Sequence, residues 1–377
     1  MESIGGNIPV YFEEIETTEP YKGYYFKVKD VLTIAILGTL CELKNMKIIH
    51  DWAKSPLVSE FLQNEFGIWK TPCYMQFTNI MGIINPEKLN EAFIKWTYEL
   101  AGSIEGKTIS FDGKTICSTE KMEAFESPLH IVSAYISDMG LTLGQKSVCD
   151  KSNEIPAVQN LIEMLNISGA MVVADALNCQ KKTAEKIIKG GGDYLLSVKD
   201  NHRNLYEEIV DFVQNEDCKN TMKTCKTIEK NRDRIEKRIA FTTAEIDWME
   251  CKSGWKSLAS IGAINTQFTS KKGMTNEWHY YISSKELTPE ELLKHARLEW
   301  GVEAMHWLLD VHFDEDRTRA NSQITQENLN IIRKITLNLV KKHKQNTVSK
   351  QSLASIMRSC LFDTDNILKI TSDLLKS

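Results

Sequence analysis

The sequence predicts an α/β fold: a mixed sheet flanked by helices, carrying a β-rich insertion and preceded by a helical N-terminal domain. Three observations predict it. The first hundred residues hold apolar side chains at helical spacing, Val31, Ile34, Leu37 and Leu40, then Leu57, Phe61 and Phe66. From Thr108 the period shortens to two, Ile109 and Phe111 alternating with Ser110 and Asp112. Further on, the short apolar runs Ala170 to Ala174 and Tyr194 to Val198 alternate with amphipathic stretches, as strands buried on both faces alternate with helices.

Taken in order, residues 1–25 read as a less regular arm of a helical domain spanning 1–103. Strands follow at Thr108 to Asp112, His130 to Ser137 and Leu141 to Cys149, the last two around a turn at Met139 and Gly140. Ile155, Val158, Leu161, Ile162 and Leu165 mark a helix, and the run ending at Ala174 marks a buried strand. A helix from about Asn178 to Lys189 stops at Gly190, Gly191 and Gly192. These glycines follow a helix and precede a strand, which suits a C-cap and turn and not a phosphate cradle. The strand Tyr194 to Val198 and a helix from about His202 complete a ribonuclease-H-like order. That core takes residues 104–214 and 285–345. Between them, 215–284 is polar with strand signals at Arg238 to Thr242, Leu258 to Ile264 and Trp278 to Ser283. Helical periodicity runs from Pro289 through about Lys342, and 346–377 form a helical tail.

The chain has 377 residues, 42% hydrophobic and 26% charged, with a net charge of −5, so it does not coat nucleic acid by bulk charge. Local patches carry any such contact: Lys223 to Arg238, with a surplus of four positive charges, and Lys341 to Lys344. Each reads equally well as a solvated face. The longest apolar run, Val31 to Cys41, is too short to span a bilayer, and no secretory signal opens the chain. Nine cysteines, none in a C-x-x-C pair, suit reduced thiols, so a cytoplasmic protein without a membrane partner is expected.

Asp112 and Asp175 sit at or near the C-terminal ends of predicted strands, where open α/β sheets place ligand sites. Two carboxylates on neighbouring strands offer hard oxygens to Mg²⁺ or Mn²⁺; either one alone reads as a turn or cap residue. A third source of acids is EWGVEAMHWLLDVHFDED, residues 299–316. Placed on one helix, Glu299, Glu303, His306 and Asp310 share a stripe about 60° wide. The remaining circumference is apolar and includes Trp300 and Trp307, which predicts a buried helix with the tryptophans as core packing. A buried acidic seam needs a cation, either a metal ion or a basic side chain of another helix. Spacing does not choose among Glu299, Glu303 and Asp310, and His306 fits a general base or a structural histidine.

Seven collinear segments carry a resemblance. FDGKTI (111–116), DKSNEIPA (150–157), DALNCQK (175–181), GGDYLLSVKDNH (191–202), YYISS (280–284), EWGVEAMHWLLDVHFDED and ENLNIIRKITLNL (327–339) resemble, in order, the landmarks of the DDE transposases of the ISAs insertion-sequence type, which include the H-repeat-associated proteins. The resemblance covers about residues 25 to 345. It implies a catalytic triad of Asp112, Asp175 and Glu303, selecting Glu303 from the acidic stripe, and two Mg²⁺ (or Mn²⁺) ions held by it. Lys151, Asn153 and Glu154 match a KSNE signature, Gln180 and Lys181 follow the second aspartate, and Arg319 follows the later acidic pair. With Lys114, Lys199, Arg234, Glu299, His306 and Asp310 these form the expected supporting or DNA-contacting set. Ala296, Glu299 and Asp310 depart from the Tyr, Arg and Lys of the broader group, and Arg232-Asp233-Arg234 from its His-Gly-Arg.

What the resemblance implies is a bacterial insertion-sequence transposase. It would cleave phosphodiesters at terminal inverted repeats by metal-assisted in-line attack and join the 3′-OH to target DNA, acting as a homodimer. Two other readings are a ribonuclease-H-like nuclease without strand transfer and a decayed or domesticated DNA-binding relative.

Overall fold

A computed structural model describes residues 11–13, 15, 17–18, 26–119, 128–148, 153–231, 234–270, 273–318, 320 and 322–371. Lys151, Arg319, Arg232, Asp233 and most of the expected N-terminal arm lie outside the described residues. Among the described residues, strands β1 (Thr108–Thr115), β2 (His130–Ile136), β3 (Leu141–Val148), β4 (Met171–Ala174), β5 (Asp193–Val198), β6 (Lys223–Asn231), β7 (Arg234–Thr243), β8 (Ser260–Ser270) and β9 (Gly273–Ser283) form one mixed sheet. Its order is β3-β2-β1-β4-β5-β9-β8-β7-β6. β1 is antiparallel to β2 and parallel to β4, and β4 is parallel to β5, so the first five strands have the ribonuclease-H-like arrangement.

The segment expected as an insertion supplies β6 to β9 and extends this same sheet, because β9 pairs antiparallel with β5 from Leu195↔Ser283 to Val198↔Tyr280. Three of its strands fall where the apolar signals lie. The fourth, β6, is the sheet's outer edge; its sequence KTCKTIEKN reads as a basic patch because an edge strand protected by lysines has little apolar alternation to show.

The helices are α1 (Val28–Leu40), α2 (Met46–Ala53), α3 (Pro56–Phe66), α4 (Tyr74–Ile83), α5 (Pro86–Ala101), α6 (Glu154–Met164), α7 (Lys181–Lys189), α8 (Arg203–Gln214), α9 (Glu216–Thr221), α10 (Pro289–Glu299), α11 (Gly301–Phe313), α12 (Gln323–Asn346), α13 (Leu353–Phe362) and α14 (Thr364–Thr371). The long helical stretch expected from Pro289 to Lys342 is therefore three helices. A capping box between Thr288 and Glu291, with Pro289 in the first turn, starts α10. The chain turns at Trp300, and Asp314 in a left-handed conformation ends α11.

One face of the sheet packs Ile109, Phe111, Val172, Ala174 and Leu196 against α6, α7 and α8. On the other, Met171, Val173 and Leu195 meet Leu292, Leu293 and Ala296 of α10, while α11 and α12 cross β1 to β3. The N-terminal helices share one hydrophobic cluster with α11 to α14, in which Leu32 and Ile36 are buried with Ile332 and Ile335. Truncating any of these leucines or isoleucines to alanine is worth about 2–5 kcal/mol.

Polar groups fix α12 on the sheet. Asn338 accepts from the Thr142 amide at 2.9 Å and donates to its carbonyl at 2.8 Å. Lys334, fully enclosed, donates to Ser133 Oγ at 2.8 Å and Gln145 Oε1 at 2.7 Å. Two cations of the basic stretch Lys341 to Lys344 make hydrogen bonds within the protein. Lys341 donates to the Tyr135 hydroxyl at 2.8 Å and Lys342 to the Leu100 carbonyl at 3.0 Å. Both ammonium groups satisfy internal acceptors, as burial demands.

Candidate active site

β1 and β4 run parallel in a register that sets Phe111 beside Ala174, so the next pair is Asp112 and Asp175. Parallel neighbours lie about 4.8 Å apart. Asp112 shares a side of β1 with Thr108 and Ser110, by the two-residue alternation of a strand. Those two bond α10: Thr108 Oγ1 lies 2.9 Å from His295 Nδ1, and Ser110 Oγ donates to the Leu298 carbonyl at 3.0 Å. Asp112 thus faces the α10–α11 junction, where His306 Nδ1 lies 3.3 Å from Asp112 Oδ2.

Glu299 ends α10, and Glu303 stands exposed in the first turn of α11. Burial pushes the Glu299 carboxyl up to about 7; the charges of Asp175, Glu303 and Asp112 push in the same direction, and Lys199 opposes them. Glu299 thus shares one electrostatic neighbourhood with Asp112, Asp175 and Glu303, and with Lys199. Carboxylate oxygens are the donor set a divalent hard cation takes.

The acidic stripe divides in this geometry. Because the chain turns at Trp300, Glu299 and the residues from Glu303 onward belong to different helices. Asp310 goes elsewhere: with Glu315 and Asp316 it forms a second group of carboxylates, and Lys114 lies in it, ion-paired to Asp310, to Glu315 at 3.0 Å and to Asp316 at 3.4 Å. That cluster already has its cation.

The expectation that Trp300 and Trp307 pack a buried helix is overturned. They are 65% and 60% exposed, and Val311 is exposed beside them. α11 lays Val302, Met305, His306, Leu309 and Phe313 on the protein, and one contact face cannot also cover apolar residues on the opposite side. Periodicity alone gave no means of telling which apolar stripe would face inward.

The other expected residues are dispersed. Lys199, just after β5, lines a cavity of about 320 Å³ with Tyr206, Trp278, His279 and Tyr280. Gln180 donates to the Leu177 carbonyl at 3.0 Å, Lys181 lies against Gly254, and Asn153 is exposed before α6. Arg234 opens β7 opposite Asn231. In the Lys223–Arg238 patch, Arg238 is ion-paired to Glu229 at 3.2 Å and to Glu236, and Lys223 to Glu286 at 3.0 Å.

Glu154 is buried. Its partners are two residues that the sequence did not single out, His130 and Asn178, because nothing in spacing alone links a strand, a helix and a loop. Asn178 in turn donates to Asp175 Oδ1 from its side chain and from its backbone amide, both at 3.1 Å.

Comparison with known proteins identifies the family. The model of the transposase DDE domain matches residues 102–339, spanning every strand and the α10–α11 junction, and the DDE_Tnp_1-associated domain matches residues 10–97. The chain belongs to the DDE transposase family. The H repeat-associated protein YhhI of Escherichia coli (strain K12) is 30% identical over 354 residues, 91% of this chain and 92% of that one. YbfL of the same strain is 29% identical over 91% of this chain and 92% of its own length. Among solved structures, a piggyBac transposase synaptic complex with hairpin DNA aligns with 97% of this chain and 80% of that chain, at 11% identity and a TM-score of 0.47. Among the described residues, no helix of this DDE transposase family member is long and apolar enough to cross a membrane.

Proposed function

We propose that this chain is the transposase of a bacterial insertion sequence, acting on DNA at the element's terminal inverted repeats and joining the freed 3′ ends to target DNA. The observation that carries the reading is the β1–β4 register, which sets Asp112 beside Asp175 under a helix junction bearing Glu303 and Glu299.

Asp112, Asp175 and Glu303 would hold two Mg²⁺ or Mn²⁺ ions. Such ions, when bound, supply charge stabilisation for in-line displacement at a phosphodiester and lower the pKa of an attacking hydroxyl. The residues fit that role: their oxygens are hard donors, Asp175 and Glu303 are exposed, and Glu299, raised first by its burial, also feels the negative charges of Asp175, Glu303 and Asp112. His306 Nδ1 lies 3.3 Å from the Asp112 carboxylate on the α11 side, and Lys199 offers a positive charge for a phosphate near the site. Exposed Trp300 and Trp307 flank Glu303 on α11 and present flat faces to unstacked bases. Two protomers would bring the two ends together.

The test is a joining assay. Purified protein, an end-labelled duplex carrying the element's terminal repeat, and a supercoiled target plasmid are incubated with Mn²⁺ or Mg²⁺. Label transferred to the plasmid supports transposition; cleavage without joining supports a nuclease; neither, with DNA binding retained, supports a non-catalytic relative.

A further inference from the structure

A buried polar relay runs along the face of the sheet opposite α11. His130 Nδ1 lies 3.0 Å from Thr115 Oγ1, and its Nε2 lies 3.0 Å from Glu154 Oε2. The other oxygen of Glu154 accepts from Asn178 Nδ2 at 3.1 Å, and the same nitrogen donates to Asp175 Oδ1 at 3.1 Å. His130, Glu154 and Asn178 are 1%, 4% and 1% exposed, so the two bonds of Glu154 are shielded from water.

The relay touches the backbone of both aspartate-bearing segments. A Cβ at Gly113 would lie 2.4 Å from His130 Nε2 and 2.5 Å from Glu154 Oε2, so the pair is seated directly on the peptide that follows Asp112. Only a residue without a side chain leaves that space. At the other end, Asn178 has two hydrogens on one nitrogen and two carboxylates to receive them, which fixes its amide plane. Asp175 follows the last residue of β4 and is itself exposed, so Asn178 is what restrains its carboxylate.

We infer that Glu154, with His130 and Asn178, is a positioning device that sets Asp175 against Asp112 for metal binding. This rests on the proposed metal site. None of the three touches the reacting atoms. Glu154 spans the two strands: it presses on Gly113 from one carboxylate oxygen and orients Asp175 through Asn178 from the other. Partners of this kind behind a metal-ligating carboxylate typically change metal affinity by about 10- to 100-fold when removed.

The test is Mn²⁺ titration of the full-length protein without DNA, by calorimetry and by the paramagnetic signal of free Mn²⁺, with thermal unfolding run alongside. Asp175→Ala in an otherwise unaltered chain is the control. Loss of Mn²⁺ binding there supports the metal site; unchanged binding overturns that site and this inference with it. Given that control, Asn178→Ala and Glu154→Ala are each expected to raise the Mn²⁺ midpoint about 10- to 100-fold while the folded fraction at assay temperature stays that of the parent. Asn178→Ala is the gentler variant, since it also removes a buried Oδ1 that has no partner among the described residues. Glu154→Gln is expected to keep the parent midpoint: its oxygen still accepts from Asn178, and its amide can donate to His130 in the other tautomer. An unchanged Mn²⁺ midpoint in a folded Asn178→Ala protein overturns the inference.

Discussion

Lys114 Nζ lies 3.0 Å from Glu315 Oε2, joining the strand that carries Asp112 to the segment that follows the helix carrying Glu303. Glu315 is 1% exposed and also accepts from Asn330. Both partners are largely removed from water, so the pair matters most through what its rupture leaves behind. Lys114→Met removes the direct ion-pair partner of a buried carboxylate, leaving it only the charges of Arg333 and Lys334, and is expected to cost up to about 3–5 kcal/mol in urea unfolding. Lys114→Met combined with Glu315→Leu should recover most of that loss. A single variant as stable as the parent would show that Arg333 and Lys334 neutralise Glu315 without Lys114.

Lys334 gives the protein a pH signature. Burial drives its ammonium down to about 7 against the attraction of Glu315, with the charge of Lys114 pushing the same way as burial. The unfolded chain holds that proton up to about 10.4. Between these values the unfolded state binds more protons than the folded one, so stability rises with pH, by up to about 1.4 kcal/mol per unit. Below the folded value both states are protonated and the slope vanishes. Urea unfolding at steps from pH 6.5 to 9.5 measures it. Lys334→Met should flatten the rise, and parallel curves for the two proteins would contradict the assignment.

Trp300 and Trp307 separate DNA contact from folding. With 65% and 60% of their surface in solvent, alanine at either position should change stability by less than about 0.5 kcal/mol. Against a single-stranded or nicked end, each substitution should weaken binding by about 1–3 kcal/mol, read by fluorescence anisotropy. A stability loss without a binding loss would return them to a packing role.

The parts of this architecture that local pattern could reveal were those fixed by local chemistry. Alternation around Ile109 and Phe111, the apolar run to Ala174 and the glycines after Lys189 marked strands and a turn that position Asp112 and Asp175. Three features escaped it for physical reasons. The pairing of β5 with β9 joins Leu195 to Ser283, far apart in sequence, and leaves no periodic trace in either strand. The turn at Trp300 carries no proline before it and keeps a helical φ of −70°, so an unbroken helix and a broken one look alike in spacing. The relay through His130, Glu154 and Asn178 depends on three separate elements meeting behind the sheet. Collinear motifs, and not spacing, were what distinguished Glu303 from Glu299 and Asp310.

Glu299, half-buried at the end of α10, feels the charges of Asp112, Asp175 and Glu303, and Glu303 is exposed at the start of α11. The direct measurement is Mn²⁺-dependent cleavage of a labelled element end by Glu303→Ala and Glu299→Gln side by side, with folding checked for each. The account predicts that Glu303→Ala abolishes cleavage, as Asp112→Ala and Asp175→Ala do, while Glu299→Gln retains it. Full cleavage by Glu303→Ala with loss in Glu299→Gln would contradict it.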